Sequence, residues 1–248
     1  MSGFIALVGS GEYLETMEGV DRRLLAQARQ ASPLNVVCIP AAAGEEGDAS
    51  VERWMQMGVE HFTRLGAHVQ AMRIIDRASA DDPHTAALIE AADLIYFSGG
   101  YPLYLYQTMV GTRAWAAVET AWTRGATYAG CSAGAMILGA YVPDVRSPEL
   151  KMYPAFNWIA HAFVLPHFDQ LESFRPGATA AIQNRLAEGE FMLGIDENTA
   201  LVGRPDTEWE VLGASRVSLF TRHAKRVYST GQRLILRGVL EAARPLTE

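Results

Sequence analysis

Lysine is almost missing from this chain. Lys151 and Lys225 are the only two, and 28 Asp and Glu residues outweigh 21 Lys and Arg, for a formal net charge of −7. No arginine cluster makes up the shortage, which argues against a nucleic acid or an anionic membrane as partner, since either would want a basic face. Cysteine is scarce as well. Cys38 and Cys131 each end an apolar run in a chain with no secretory signature, so they read as free thiols rather than a disulfide. Long hydrophobic runs are also lacking: in MSGFIALVGSGEY the apolar stretch 4–8 is too short for a signal core or a membrane span, and no charged segment precedes it. A cytoplasmic location is the expectation. There are no repeats or low-complexity tracts, and with 49% hydrophobic and 20% charged residues the composition is that of an ordinary folded protein. GSGEY is not GxGxxG, no GxxxxGK[ST] occurs, and His161, His167 and Asp169 are not joined by any HxxxH, CxxC or carboxylate cluster. Metal binding is therefore a poor rival, and nucleotide-phosphate binding has no support beyond the fold class.

What is present is an alternation of short apolar runs with longer helical patterns, the signature of βαβ units. FIALV, PLNVVCI, HVQAMRII, ADLIYF and ATYAG read as strands, and GVDRRLLAQARQ and ASVERWMQMGVEHFTRLG as helices. The strands are apolar on both parities, as expected where helices cover both faces of a parallel sheet. Right-handed crossovers then give a doubly wound α/β fold, with the ligand crevice at the carboxyl ends of the strands. All 248 residues read as one domain. From about residue 200, LVG, EWEVLG, RVSLF and RLILRG suggest a small antiparallel, strand-rich appendage spanning 202–248. RWMQMG could face a partner in a homodimer, but packing against its own sheet is favoured.

The residues just after each apolar run carry the chemistry. Gly130-Cys131-Ser132-Ala133-Gly134 fits G-x-S-x-G between a strand and a helix, which places Ser132 at the tip of a nucleophile elbow and Cys131 off-centre. Backbone N–H groups at the start of the following helix can stabilise negative charge on a substrate oxygen. A second donor would come from Ser98-Gly99-Gly100 on the neighbouring strand, so the expected oxyanion hole is the N–H of Ala133 with that of Gly100 or Gly99. A serine hydroxyl also needs a base. His61, His68, His84 and His223 read as surface or helix-face residues, and His161 as lying at the wrong end of its strand. His167 follows HAFVLP on the crevice edge and is the expected base. The acid that orients it is Asp196 or Glu197, which point opposite ways, or Asp169; spacing does not choose.

FSGG at 97–100, GCSAGAM at 130–136, PHFDQ at 166–170 and GIDENTAL at 194–201 resemble, in order and spacing, the serine peptidases that include dipeptidase E and cyanophycinase. Their fold is similar to that of class I glutamine amidotransferases, a flavodoxin-like doubly wound sheet. The resemblance covers roughly residues 4–202. It implies Ser132 as nucleophile, His167 as base and Glu197 as orienting acid, acting on small peptides through an acyl-enzyme without a cofactor. Two departures bear on specificity. Tyr101 and Pro102 follow the Gly-Gly pair where relatives usually carry Asn with Thr or Gln, and Leu171 to Arg175 replace an R-x-R segment of cyanophycinases. Tyr101, Asp169, Arg175 and Arg185 are therefore candidate substrate contacts, the arginines as planar, bidentate cations for an acidic group. Aspartyl specificity stays open. Two further readings remain: a hydrolase of the amidotransferase type built on Cys131, and a family member that binds a ligand without turning it over.

Overall fold

Short runs that are apolar on both parities belong between two helical layers, and five of them form the parallel core. The computed structural model describes residues 2–28, 33–147, 149, 151–205 and 207–236. Strands β1 (Ile5–Val8), β2 (Asn35–Ile39), β3 (His68–Ala71), β4 (Leu94–Phe97) and β5 (Thr127–Cys131) lie parallel in the order β1-β5-β4-β2-β3. β3 stops at Ala71, short of the full HVQAMRII run. Alternate residues divide between the two faces. Leu7, Ile39, Phe97 and Tyr128 pack into one core, and Val8, Cys38, Tyr96 and Cys131 into the other. The helix Asp48–Arg64 turns Trp54 and Met57 against the second of these cores, so RWMQMG faces its own sheet. The helix Glu18–Gln27 carries the first helical pattern; Arg29 and Gln30 of that pattern lie outside the described residues.

Beyond β5 a hairpin, β6 (Tyr141–Pro143) with β7 (Met152–Pro154), precedes β8 (Ala162–Leu165) and β9 (Phe191–Ile195). These last two do not extend the main sheet. They pair in parallel with each other and belong to a four-stranded sheet of order β13-β12-β9-β8. The C-terminal antiparallel strands divide between the two sheets. β10 (Thr199–Gly203), β11 (Glu208–Gly213) and β14 (Arg233–Ile235) continue the main sheet beyond β1, making it eight-stranded, whereas β12 (Arg216–Phe220) and β13 (Lys225–Ser229) join the second. RLILRG is described only through Leu236. The turn between β9 and β10 thus steps from one sheet to the other, and Asp196, Glu197 and Asn198 sit on that step.

Candidate active site

β5 delivers its last residue, Cys131, to the centre of the main sheet and then reverses sharply. Ser132 takes φ 49° and ψ −109°, a conformation costly for a residue with a side chain, and the helix Ala133–Met136 folds back over the strand. Two glycines make this reversal sterically possible. A Cβ on Gly130 would stand 2.2 Å from the Gly134 carbonyl oxygen, and one on Gly134 would stand 2.8 Å from the Phe97 Cβ. Ser132 is fastened by its N–H to the Val8 carbonyl (2.9 Å), and its own carbonyl accepts the N–H groups of Ala135 and Met136. The G-x-S-x-G pattern is thus a packing requirement of the elbow.

His167 arrives from the second sheet. After β8 the chain passes Pro166 and enters the left-handed region at His167, φ 49° and ψ 37°, with its N–H directed to the Gly9 carbonyl at 3.3 Å. Its ring then bridges two neighbours: Nε2 is 3.1 Å from Ser132 Oγ, and Nδ1 is 2.8 Å from Glu197 Oε1. His161, at the other end of β8, is remote from this arrangement, as its place in the strand requires. The adjacent acids divide as neighbours in extended chain must. Asp196 is buried, accepts the Ser215 hydroxyl at 2.7 Å and lies 3.6 Å from Arg216 Nε, whereas Glu197 turns to the histidine. Asp169 does not address the pocket: its Oδ1 accepts the Glu197 backbone N–H at 2.8 Å and so holds the acid's segment against the start of the helix Phe168–Phe174.

The Gly-Gly loop lies against the elbow because β4 pairs with β5 in the register Phe97↔Gly130. A Cβ on Gly99 would come within 3.2 Å of Ser132 Cβ. The Gly99 N–H, one of the two alternatives for the second oxyanion donor, is already committed at 2.8 Å to Glu12 Oε1. Among the described residues the N–H groups of Gly100 and Ala133 are without a hydrogen-bond partner. Gly100 holds φ 140°, where a side chain would also strike the Ala42 carbonyl.

Glu12 is the residue that sequence reasoning passed over. It is buried, and its second oxygen accepts Cys131 Sγ–H at 2.9 Å, so one carboxyl ties the loop after β1 to both the Gly-Gly loop and the strand below the serine. The signal was its position in GSGEY, directly after an apolar run on the crevice edge. Cys131 is fully buried, and burial together with the nearby Glu12 pushes its thiol well above the usual range, which keeps it protonated and away from any ligand. His61 lies on a helix, on its buried face: it is 1% exposed, with Nε2 2.8 Å from Asp21 Oδ2 and Nδ1 3.1 Å from Arg64 Nη2, beside the rings of Tyr13 and Phe62.

Ser132 and His167 open onto a cavity of ≈ 470 Å³ between the β6–β7 hairpin and the helices Phe168–Phe174 and Ala178–Gln183. Arg175 and Arg185 both line it, but Arg175 directs its guanidinium to the carbonyls of Val145 and Ser147. Tyr101 does not line this cavity. Its N–H bonds the Ala42 carbonyl, and its ring lies 3.6 Å beneath the Arg146 guanidinium, itself paired with Glu45 at 2.6 Å, so the phenol faces an adjacent cleft of ≈ 180 Å³. Among the described residues no group of three or more His, Cys, Asp or Glu side chains is arranged to hold a metal ion, and no helix is long and apolar enough to cross a membrane.

Comparison with known proteins places the chain in a family. The model of Peptidase family S51 matches residues 5–208. The crystal structure of a peptidase from an acI-B1 Actinobacterium superposes with a TM-score of 0.85 at 33% identity, covering 95% of this chain and 97% of that one. A protein from Listeria monocytogenes EGD-e shares the fold with a TM-score of 0.64 at 20% identity, over 87% of this chain and all of that one. A curated relative from Listeria innocua serovar 6a, Uncharacterized peptidase Lin0382, is 30% identical over 143 residues; the match spans 55% of this chain and 65% of that relative's length.

Proposed function

Because the chain belongs to peptidase family S51, we propose that it is a serine peptidase that hydrolyses small peptides, with Ser132 as nucleophile, His167 as general base and Glu197 as the acid that orients it. The observation carrying this reading is the unbroken relay from Ser132 Oγ through the His167 ring to Glu197, with the serine raised on a strained turn. As Oγ attacks the scissile carbonyl, its proton passes to His167 Nε2, while Nδ1–H stays bonded to Glu197, which fixes the tautomer and stabilises the imidazolium. The free N–H groups of Ala133 and Gly100 receive the oxyanion. His167 returns the proton to the departing amine, leaving an acyl-Ser132 ester. Water, deprotonated by the same ring, then releases the acid and restores the hydroxyl. Arg185, at the cavity's edge, offers a guanidinium to a peptide carboxylate.

Cys131 catalysis is disfavoured by the buried, protonated thiol, and a purely binding role by the completeness of the relay. The test is direct. A fluorophosphonate should label the native protein at Ser132, and Ser132→Ala should lose labelling together with a factor on the order of 10⁶ in kcat. Peptidase activity persisting in purified Ser132→Ala protein would remove the assignment.

A further inference from the structure

We infer that the cavity beside Ser132 is a specificity pocket for a large apolar side chain flanking the scissile bond, so that short peptides carrying Leu, Met or Phe there are preferred over aspartyl peptides. The inference deepens the serine-peptidase reading and rests on it.

The walls of the pocket carry the argument. One is the β6–β7 hairpin with the segment between its strands, contributing Pro143, Val145 and Met152; opposite stand Leu171, Phe174 and Ile182. Phe163 and Leu165 of β8 join them below, so apolar carbon continues up to the Pro166-His167 step that presents the catalytic ring. Several of these side chains pay no part of the core's packing. Val145 and Met152 are each 40% exposed and Phe174 is 70% exposed, and Tyr141 stacks on the lining Phe163. Three exposed apolar side chains gathered around one concavity mark a place where water is displaced by a ligand.

The charged groups lie where they would not serve an aspartyl side chain. Arg175 is turned to the carbonyls of Val145 and Ser147, bracing the hairpin segment. Arg185 is exposed at the rim, and Glu149, also lining the cavity, would repel a carboxylate. Tyr101, standing where relatives carry a polar amide, faces the adjacent cleft instead. An aspartate seated against the apolar walls would surrender its hydration with only the exposed Arg185 to answer it and Glu149 to oppose it, an unfavourable exchange. A Leu or Phe side chain gains by the same transfer, by an amount equivalent to about 10- to 100-fold in kcat/KM over alanine.

The experiment is a hydrolysis profile of the purified protein over dipeptides and tripeptides in which Leu, Phe, Met, Ala, Lys, Asp or β-linked Asp occupies each side of the scissile bond. Fluorophosphonate labelling of Ser132 is run in parallel. Large apolar residues on one side should lead aspartyl ones by about 10-fold or more. Ala181→Phe, at a lining position on an exposed helix face, should cut the Leu and Phe substrates at least 10-fold while leaving alanine peptides within threefold. Phe174→Asp, at a side chain that is 70% exposed, should erode the same preference without a packing cost and serves if the first variant folds poorly. Labelling of Ser132 with aspartyl peptides preferred, or equal loss on all substrates in both variants, overturns the pocket assignment alone. Absence of both labelling and turnover overturns the peptidase reading beneath it.

Discussion

Removing the Glu12 carboxyl should damage catalysis without touching any group that meets the substrate. Glu12 accepts the Gly99 N–H at 2.8 Å and the Cys131 thiol at 2.9 Å, and it is only 7% exposed. In Glu12→Ala the buried Gly99 N–H is left without an acceptor, at a cost of about 1–3 kcal/mol, and the lost side-chain volume adds to this. A total of roughly 2–4 kcal/mol corresponds to a fall of about 5–15 °C in Tm for a chain of this size. The kinetic consequence is more specific. Gly99 and Gly100 are consecutive, so releasing one frees the N–H proposed to meet the oxyanion, and complete loss of such a donor costs about 10²–10³ in kcat. Partial misplacement should cost about 10- to 100-fold, seen in kcat with KM little changed, because the donor acts on the transition state. Glu12→Gln keeps an oxygen for Gly99 and should restore activity to within about tenfold of the native enzyme. Steady-state kinetics on a peptide that the native protein cleaves, with thermal melts of the same samples, make the measurement. A folded Glu12→Ala variant with unaltered kcat, or one whose loss lies wholly in KM, refutes the argument.

Glu197→Gln should lower kcat on the order of 10⁴, because an amide presented to Nδ1 permits the wrong tautomer, whereas Asp196→Asn, at an acid bonded to Ser215, should change stability and spare kcat. Gly130→Ala places a methyl group 2.2 Å from the Gly134 carbonyl oxygen, so it should destabilise the fold by more than about 3 kcal/mol, read as a lowered urea midpoint. Burial raises the Cys38 thiol to about 12 and Cys131 likewise upward, so a disulfide-exchange reagent at pH 8 should count no thiols in the native protein and two after unfolding. Both groups favour the folded state while protonated. Their contribution should therefore be intact below the ordinary thiol pKa near 9 and decline as pH rises toward 12, which urea titrations at pH 8 and pH 10.5 would detect.

The parallel core was legible because its strands are short and apolar and their ends fall on one edge, so Ser132, His167 and the 196–197 pair could be placed on the crevice side from the order of the runs alone. The choice between Asp196 and Glu197 was not, since alternation says that they diverge but not which one meets a histidine 30 residues away; the family resemblance supplied it. Contacts made across long sequence separations were also hidden. Glu12 finds its partners 87 and 119 residues downstream, and His61 is buried by Asp21 from another helix. Nothing in the apolarity of HAFVL or EFMLGI announces that they pair with each other in a separate sheet. Tyr101 sits beside Ser132 in the loop order, yet Arg146, from the segment between β6 and β7, draws its ring into the neighbouring cleft.

The pairing of β1 with β10, which joins Ile5 to Gly203, has a consequence for when this molecule can act. Ser132 is presented by strands that precede it, but the ring and carboxyl that would arm it come from segments held against the loop after β1, through the Gly9 carbonyl and the Ser10 hydroxyl. Only when β10 has laid itself along β1 is the Glu197 turn brought to that loop. A growing chain could therefore bring Glu197 to Ser132 only after residues 199–203 of β10 have been made. Until that pairing forms, Ser132, His167 and Glu197 cannot stand together as they do in the folded chain.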